Sequence, residues 1–263
     1  MYAFELRKAQ SVSEAASILA QTAGKPLAGG QTLIAAMKFR LAQPGTLVDL
    51  SGIAELKGIR REGDTIVIGA MTTHAQVAAS DVVKTAIPAL AALASKIGDR
   101  QVRNMGTIGG SIANNDPAAC YPAAALGLNA TIETNKRQLS AEAFFKGMYQ
   151  TDLAADELIT ALRFPIPRKA AYEKFRNPAS RFALVGVFVA ETKQGVRVAV
   201  TGAAGSVFRS KPLEDALAKN FTAGAAKAVK IDSSGLNGDL HASPEYRAHL
   251  IPVLAARALT ACG

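Results

Sequence analysis

Two glycine-centred stretches stand out: Leu27-Ala28-Gly29-Gly30-Gln31-Thr32 and Arg103-Asn104-Met105-Gly106-Thr107-Ile108-Gly109-Gly110-Ser111. Each leads toward a segment of helical character and can present backbone N–H groups to an anion. Two such loops together can hold both ends of a pyrophosphate. The first stretch has neither the G-x-G-x-x-G pattern of a Rossmann fold nor the Gly-Lys-Ser/Thr ending of a P-loop. Either stretch alone is more often an ordinary tight turn, because glycine is the usual residue there.

The composition is that of a globular protein with a substantial core. The chain has 263 residues, of which 49% are hydrophobic and 19% charged, and this length favours one or two domains. The longest strongly apolar stretch, residues 183–190, is far too short to span a membrane. The first residues do not resemble a signal peptide. We therefore expect a cytoplasmic protein without a membrane span.

Several kinds of site are disfavoured. Cys120 and Cys262 are far apart and have no ligand spacing, so we expect no iron–sulfur cluster or other metal on this chain. The net charge of +9 suits an anionic cofactor or an acidic partner, but no aromatic-interleaved basic run predicts nucleic-acid binding. We expect no catalytic residue: no Ser-His-Asp order is visible, and His74 is interpreted as a helix cap or a surface residue.

Apolar spacing predicts an α+β fold in which a small first lobe has β-α-β-α-β order. Its predicted elements are a strand at 3–7, a helix capped by Ser11 or Ser13 that ends near Gly24, a strand at 26–28, a helix capped by Thr32 that ends before Pro44, and a strand at 47–50.

A larger mixed lobe and a C-terminal domain are predicted to follow. The lobe contains a hairpin at 59–68, helices from 73, at 87–97 and after 117, and strands at 130–133 and 158–164. Pro165-Ile166-Pro167 is the best linker candidate, because two prolines interrupt strand pairing. Three antiparallel strands, at 171–176, 183–192 and 196–202, then precede helices at 213–219 and 246–261. The predicted domains are 1–166, with lobes of about 1–56 and 57–166, and 167–263.

Five ordered motifs carry a resemblance to a known family. They are Ala28-Gly29-Gly30-Gln31-Thr32, Met37-Lys38-Phe39-Arg40, Leu47-Val48-Asp49-Leu50, Ile68-Gly69-Ala70-Met71-Thr72-Thr73 and the second glycine stretch. In this order and spacing the chain resembles the FAD-binding medium subunit of the molybdenum hydroxylases, which include the xanthine and carbon monoxide dehydrogenase families. The resemblance is strong over roughly the first 165 residues. It implies the two-lobed FAD-binding fold of the PCMH or vanillyl-alcohol-oxidase type.

The resemblance also implies a site. FAD would lie between the two lobes, and the glycine stretches would enclose its pyrophosphate. Asp116 is either a cap for the following helix or a partner for a ribose hydroxyl, and Cys120 stands where many relatives have an acidic residue. Which of Tyr172, Phe175 and Phe182 faces the flavin stays open. The implied cofactor-binding residues are Leu27, Ala28, Gly29, Gly30, Gln31, Thr32, Leu33, Ile97, Thr107, Ile108, Gly109, Gly110, Ser111, Asp116, Ile159 and Arg176.

The function implied by the resemblance is electron transfer within a larger complex. A small subunit would carry [2Fe-2S] clusters, a large molybdopterin subunit would hydroxylate the substrate, and this chain would pass electrons through FAD to NAD⁺, oxygen or a quinone. The expected assembly is a dimer of heterotrimers. The alternatives are a self-sufficient FAD-dependent oxidoreductase of the same broad fold, or a non-redox nucleotide-binding assembly module.

Overall fold

The computed structural model describes residues 1–262, and its first lobe is a small parallel sheet flanked by helices. The predicted β-α-β-α-β succession is present, and the strand order is β1-β3-β2 with both pairs parallel. Ser11 caps the first helix by accepting a hydrogen bond from the Glu14 backbone N–H at 3.2 Å. Thr32 is the N-cap residue of the second helix, as predicted, but its side chain makes no capping hydrogen bond. The elements are β1 Glu5–Lys8, α1 Val12–Thr22, β2 Lys25–Leu27, α2 Leu33–Lys38 and β3 Thr46–Asp49.

The second lobe is built on a five-stranded antiparallel sheet of order β4-β5-β10-β6-β7. Its strands are β4 Ile59–Glu62, β5 Thr65–Gly69, β6 Thr131–Thr134, β7 Gln138–Ser140 and β10 Ile159–Pro165; a small hairpin adds β8 Phe145–Gly147 and β9 Gln150–Thr151. Its helices are α3 His74–Ala79, α4 Asp81–Ala86, α5 Pro88–Ser95, α6 Arg100–Met105, α7 Ile108–Asn114, α8 Tyr121–Gly127 and α9 Ala141–Phe144. A short 3-10 helix, Ala54–Leu56, joins this lobe to the first.

The C-terminal sheet is antiparallel and has one strand more than the sequence predicts. The three expected strands are present as β11 Lys169–Arg176, β12 Ala183–Thr192 and β13 Gly195–Thr201, and β14 Phe208–Arg209 pairs with β13. The expectation of three strands is corrected to four, because two residues are too few to give an alternating pattern. The helices that follow are α10 Lys211–Lys219, α11 Ala223–Lys227 and α12 Pro244–Ala261.

The C-terminal sheet uses its two faces differently. One face packs with α10, α11 and α12 in a core of its own. On the other face, the side chains of Tyr172, Phe188 and Ala199 pack in the core of the second lobe. Arg197 on β13 also pairs with Glu142 on α9, with 2.8 Å between Nη2 and Oε1. The Pro165-Ile166-Pro167 segment therefore lies between two sheets whose cores are continuous.

Candidate functional site

A cleft of about 730 Å³ runs between the two glycine stretches, and the loop after β11 forms part of its wall. This volume is within the range of small-molecule and cofactor sites. The first lobe contributes residues on both sides of Gly30, and the second lobe contributes the start of α7. All but two of the cofactor-binding residues predicted from the sequence line this cleft: Leu27, Ala28, Gly29, Gly30, Gln31, Thr32, Leu33, Ile97, Thr107, Gly109, Gly110, Ser111, Asp116 and Ile159.

The first glycine stretch offers hydrogen-bond donors that the rest of the described chain leaves unused. Within residues 1–262, the backbone N–H groups of residues 29–32 donate to no protein acceptor. Gly30 has a φ of +70°, which L-residues rarely adopt, and this turns the chain from β2 toward α2. The Gln31 side-chain amide donates to the Gly29 carbonyl at 3.2 Å and so holds the loop from within. The result is a run of N–H groups free to bind an anion.

The second glycine stretch has already used most of its N–H groups. Ile108 N–H donates to the Thr72 carbonyl at 3.0 Å and Gly109 N–H to the Ala70 carbonyl at 2.9 Å. Gly110 N–H donates to the Thr107 hydroxyl at 3.1 Å, which caps α7. This stretch is therefore a rigid wall of small residues. The two stretches differ in a way that the sequence alone did not predict.

Glycine is needed at two positions because backbone segments meet there. A Cβ built on Gly29 would overlap the carbonyl group of Met105, with its carbon only 2.7 Å away. A Cβ built on Gly109 would lie 2.5 Å from the Cβ of Ala70. Contacts this short do not occur between ordinary side chains and backbone. The first stretch thus packs directly on the second, and this contact fixes the width of the cleft.

Two predicted site residues lie outside the cleft lining. Ile108 is fully buried, and its side chain packs into the core of the second lobe. Arg176 is exposed at the end of β11, where the pairing with β12 shifts register between Phe175 and Arg176. A bulge of this kind reorients the residues beyond it. The positively charged residues that do line the cleft are Lys25, Lys174 and Arg181.

Phe182 is the aromatic residue of the C-terminal sheet region that faces the cleft. Its side chain is 50% exposed and forms part of the lining. Tyr172 is buried against Phe188, with ring centroids 6.3 Å apart, and Phe175 packs edge-on against Tyr246. Of the three aromatics considered in the sequence, Phe182 is therefore the one that lines the cleft.

Asp116 lines the cleft and does not cap the next helix. Its Oδ1 accepts a hydrogen bond from the Ala118 N–H at 2.8 Å, and its Oδ2 accepts one from the Tyr149 hydroxyl at 3.4 Å. Helix α8 begins later, after Cys120. The interpretation of Asp116 as a cap is wrong, while its place in the lining leaves it available to a ligand.

His74 and Glu157 are ionisable residues of the lining with strongly shifted pKa values. Burial, together with the nearby Arg103 charge, lowers the pKa of His74 to about 4. His74 is only 5% exposed and packs against Tyr121, so its interpretation as a cap or surface residue is wrong; Thr73 provides the cap. The Arg137 guanidinium lowers the pKa of Glu157 to about 2. At neutral pH the His74 imidazole is therefore uncharged, and Glu157 is a carboxylate held in an ion pair with Arg137.

Residues 1–262 contain no cluster of His, Cys, Asp and Glu side chains arranged to hold a metal ion. Over the same residues, no helix is long and apolar enough to cross a membrane.

Comparison with known proteins gives matches over nearly the whole chain. Residues 2–167 match the family described as the FAD binding domain in molybdopterin dehydrogenase. The carbon monoxide dehydrogenase medium chain of Hydrogenophaga pseudoflava is 36% identical, over 98% of this chain and 96% of that relative. The nicotine 6-hydroxylase medium subunit of Paenarthrobacter nicotinovorans is 35% identical, over 96% and 95% of the two chains.

Solved structures of related enzymes match the chain over nearly its whole length as well. The carbon monoxide dehydrogenase from Hydrogenophaga pseudoflava that lacks the Mo-pyranopterin moiety matches with a TM-score of 0.90 and 35% identity, over 99% of this chain and 97% of the other. The quinoline 2-oxidoreductase from Pseudomonas putida 86 matches with a TM-score of 0.89 and 29% identity, over 99% and 97%. The predicted two-lobed fold with a C-terminal sheet is confirmed.

Proposed function

This chain belongs to the family of FAD-binding domains in molybdopterin dehydrogenases, and from that membership we propose that it is the electron-transfer subunit of a molybdenum hydroxylase complex. The observation that carries the proposal is the run of unused backbone N–H groups at residues 29–32, which borders a cleft of cofactor size. Such donors suit the pyrophosphate of FAD.

The residues of the cleft fit the different parts of FAD. The N–H groups of residues 29–32 would bind the pyrophosphate, and the small residues of α7 would allow it to approach closely. The Asp116 carboxylate, which lines the cleft, would accept a hydrogen bond from a ribose hydroxyl. Phe182, Ile97 and Ile159 offer apolar surface to a ring system, and Lys174 supplies a positive charge beside it.

Bound FAD supplies two-electron and one-electron redox chemistry, so the protein needs to bind, orient and shield it. Two of the ionisable lining residues, His74 and Glu157, are unsuited to proton transfer near neutral pH. His74 has a pKa of about 4, and Glu157 is held by Arg137, Thr134 and the Ala154 N–H. This supports a subunit that conducts electrons over an enzyme that carries its own acid or base.

The remaining parts of the proposal concern partners. The relatives are named as medium chains or subunits, which supports an assembly with other chains. We place [2Fe-2S] clusters on a small subunit and molybdopterin on a large one, with NAD⁺, oxygen or a quinone as the final acceptor. A dimer of heterotrimers and a cytoplasmic location remain predictions.

The first test is FAD binding by the full chain. A yellow preparation, or a chain that quenches flavin fluorescence at a one-to-one ratio, is expected. A colourless chain that FAD does not bind would overturn the proposal.

A glycine variant locates the binding site. Gly110 lies in the first turn of α7, and a Cβ there would lie 2.9 Å from the Thr107 hydroxyl oxygen and 3.7 Å from the Ala28 Cβ, between the two loops. Gly110→Val should weaken FAD binding by at least about tenfold, or about 1.4 kcal/mol. Gly224→Val is the matched control, since Gly224 also lies in the first turn of a Thr-capped helix and a Cβ there has no neighbour within 4 Å. Equal affinity in the two variants would contradict the proposed site.

Partnership is tested by isolation from the native host with a tag on this chain. Co-purification of one iron–sulfur and one molybdopterin subunit is expected, and addition of the complex's substrate should then reduce the flavin. A catalytically competent chain that purifies alone would favour the self-sufficient oxidoreductase.

A further inference from the structure

Cys120 is a buried free thiol in the wall of the cleft. It is 4% exposed, and it forms no disulfide. The Lys174 ammonium on β11 donates a hydrogen bond to its Sγ, with 3.4 Å between Nζ and Sγ. Lys174 also donates to the Lys96 carbonyl at 2.9 Å, which fixes the ammonium in this position. A thiol and a held cation thus share the wall of an open cleft.

Two buried tyrosine hydroxyls beside this thiol make no hydrogen bond of ordinary geometry. Tyr121 is fully buried and Tyr172 is 3% exposed, and neither phenolic oxygen meets the geometry of a hydrogen bond with any described residue. Burial raises the pKa of both tyrosines, and Cys120 raises each further; for Tyr172 a weak hydrogen bond to the thiol contributes, so this hydroxyl faces the sulfur. Buried hydroxyls without a full hydrogen bond cost free energy. An oxygen atom added at Cys120 would give the Tyr172 hydroxyl such a partner.

We propose that Cys120 is a site of reversible oxidation by hydrogen peroxide, and that its sulfenic acid is stabilised by Lys174 and Tyr172. The reaction is Cys–SH + H₂O₂ → Cys–SOH + H₂O: the thiol sulfur gains one oxygen and loses two electrons, and the O–O bond of the peroxide breaks. The Tyr172 hydroxyl donates to the new oxygen, and the Lys174 ammonium offsets its negative charge when it ionises. This inference concerns the thiol alone and does not depend on FAD binding.

The second cysteine provides an internal control. Cys262 lies at the end of α12 and is more exposed than Cys120. Burial nevertheless raises the pKa of its thiol, which disfavours the reactive thiolate. Accessibility alone would make Cys262 react first, whereas the cation and hydroxyls around Cys120 predict the opposite order.

Two preparations of the full chain, one as isolated and one freed of any bound flavin, are treated with hydrogen peroxide. Sulfenic acid is then trapped with dimedone. Peptide mass spectrometry then compares the two cysteines. We expect the Cys120 adduct to form about tenfold faster than the Cys262 adduct in at least one of the two preparations, and a thiol reductant to prevent further oxidation of Cys120. Faster or equal labelling of Cys262 in both preparations overturns the proposal.

Two conservative variants test the stabilising groups. Tyr172→Phe removes only a hydroxyl without a full hydrogen bond, so it should leave the fold intact while it shortens the lifetime of the sulfenic acid; Lys174→Gln should slow its formation several-fold. Tyr246→Phe is the matched control, because Tyr246 lies on the far side of the C-terminal sheet. Labelling of Cys120 at the wild-type rate and lifetime in both test variants would overturn the assigned roles. The readout is a mass increase on one peptide, so failure of FAD binding would not be mistaken for failure of this inference.

Discussion

Acidification should destabilise this protein between pH 6.5 and 4, because His74 is buried without a charge. The ordinary pKa of histidine, 6.5, falls to about 4 in the folded protein. Below pH 6.5 the unfolded chain therefore binds a proton that the folded chain does not. Stability rises with pH wherever the unfolded state binds more protons, so this contribution is complete above 6.5 and is lost as the pH falls toward 4.

The magnitude follows from the same two values. A difference of about 2.5 pH units at about 1.4 kcal/mol per unit gives about 3 kcal/mol. His74 is only 5% exposed, so solvent screening reduces this figure little. For a protein whose whole stability is about 5–15 kcal/mol, such a loss is large.

The assay is urea unfolding at a series of pH values from 4 to 7. His74→Phe keeps a ring against Tyr121 and removes a nitrogen, Nδ1, that is buried without a partner. Between pH 7 and pH 4, the unfolding free energy of His74→Phe should fall by about 3 kcal/mol less than that of the wild type. His249→Gln, on the exposed face of α12, is the control and should keep the wild-type slope. The same slope in His74→Phe and wild type would refute the reasoning.

Two further predictions concern the ends of the cleft. Gly29→Ala should push the first loop off Met105, cost about 1–3 kcal/mol of stability and weaken FAD binding, as measured by thermal unfolding and flavin titration, whereas Gly45→Ala, at a position with open space, should do neither. Glu157→Gln should lower the unfolding free energy at pH 7 by about 2 kcal/mol, because it removes the charge that pairs with Arg137. The carboxylate's contribution is complete above pH 4.5 and is lost as the pH falls through about 2, so wild type and Glu157→Gln should converge in acid; a difference that is constant with pH would count against this ion pair.

The regular elements of the fold could be predicted because each has a pattern longer than one turn or one strand pair. The parallel strands β1 to β3, the hairpin of β4 and β5 and the long strands β11 to β13 follow from apolar spacing and turn residues. Strands β8, β9 and β14 have only two or three residues, too few to show an alternating pattern. No local pattern could reveal them.

The candidate site also has features that the sequence could predict and features that it could not. Both glycine stretches were found from their residues, but the different use of their N–H groups depends on Ala70 and Thr72, which lie far from α7 in sequence. Alternation along β11 puts Lys174 and Arg176 on one face, and only the bulge in the sheet separates them. His74 likewise stands beside a good capping residue, and its burial is decided by the packing of Tyr121 from another helix.

The continuous core under the C-terminal sheet also determines when the protein becomes complete during its synthesis. The N-terminal lobes leave the ribosome first, but Phe188 and Ala199 fill the core beside α8. Until those strands emerge, α8 has an apolar surface open to water, and the wall with Lys174 and Phe182 has not formed. A ligand of the cleft therefore meets its full binding surface only in the finished chain, and a nascent chain that stalls near residue 167 presents a surface for chaperones or aggregation.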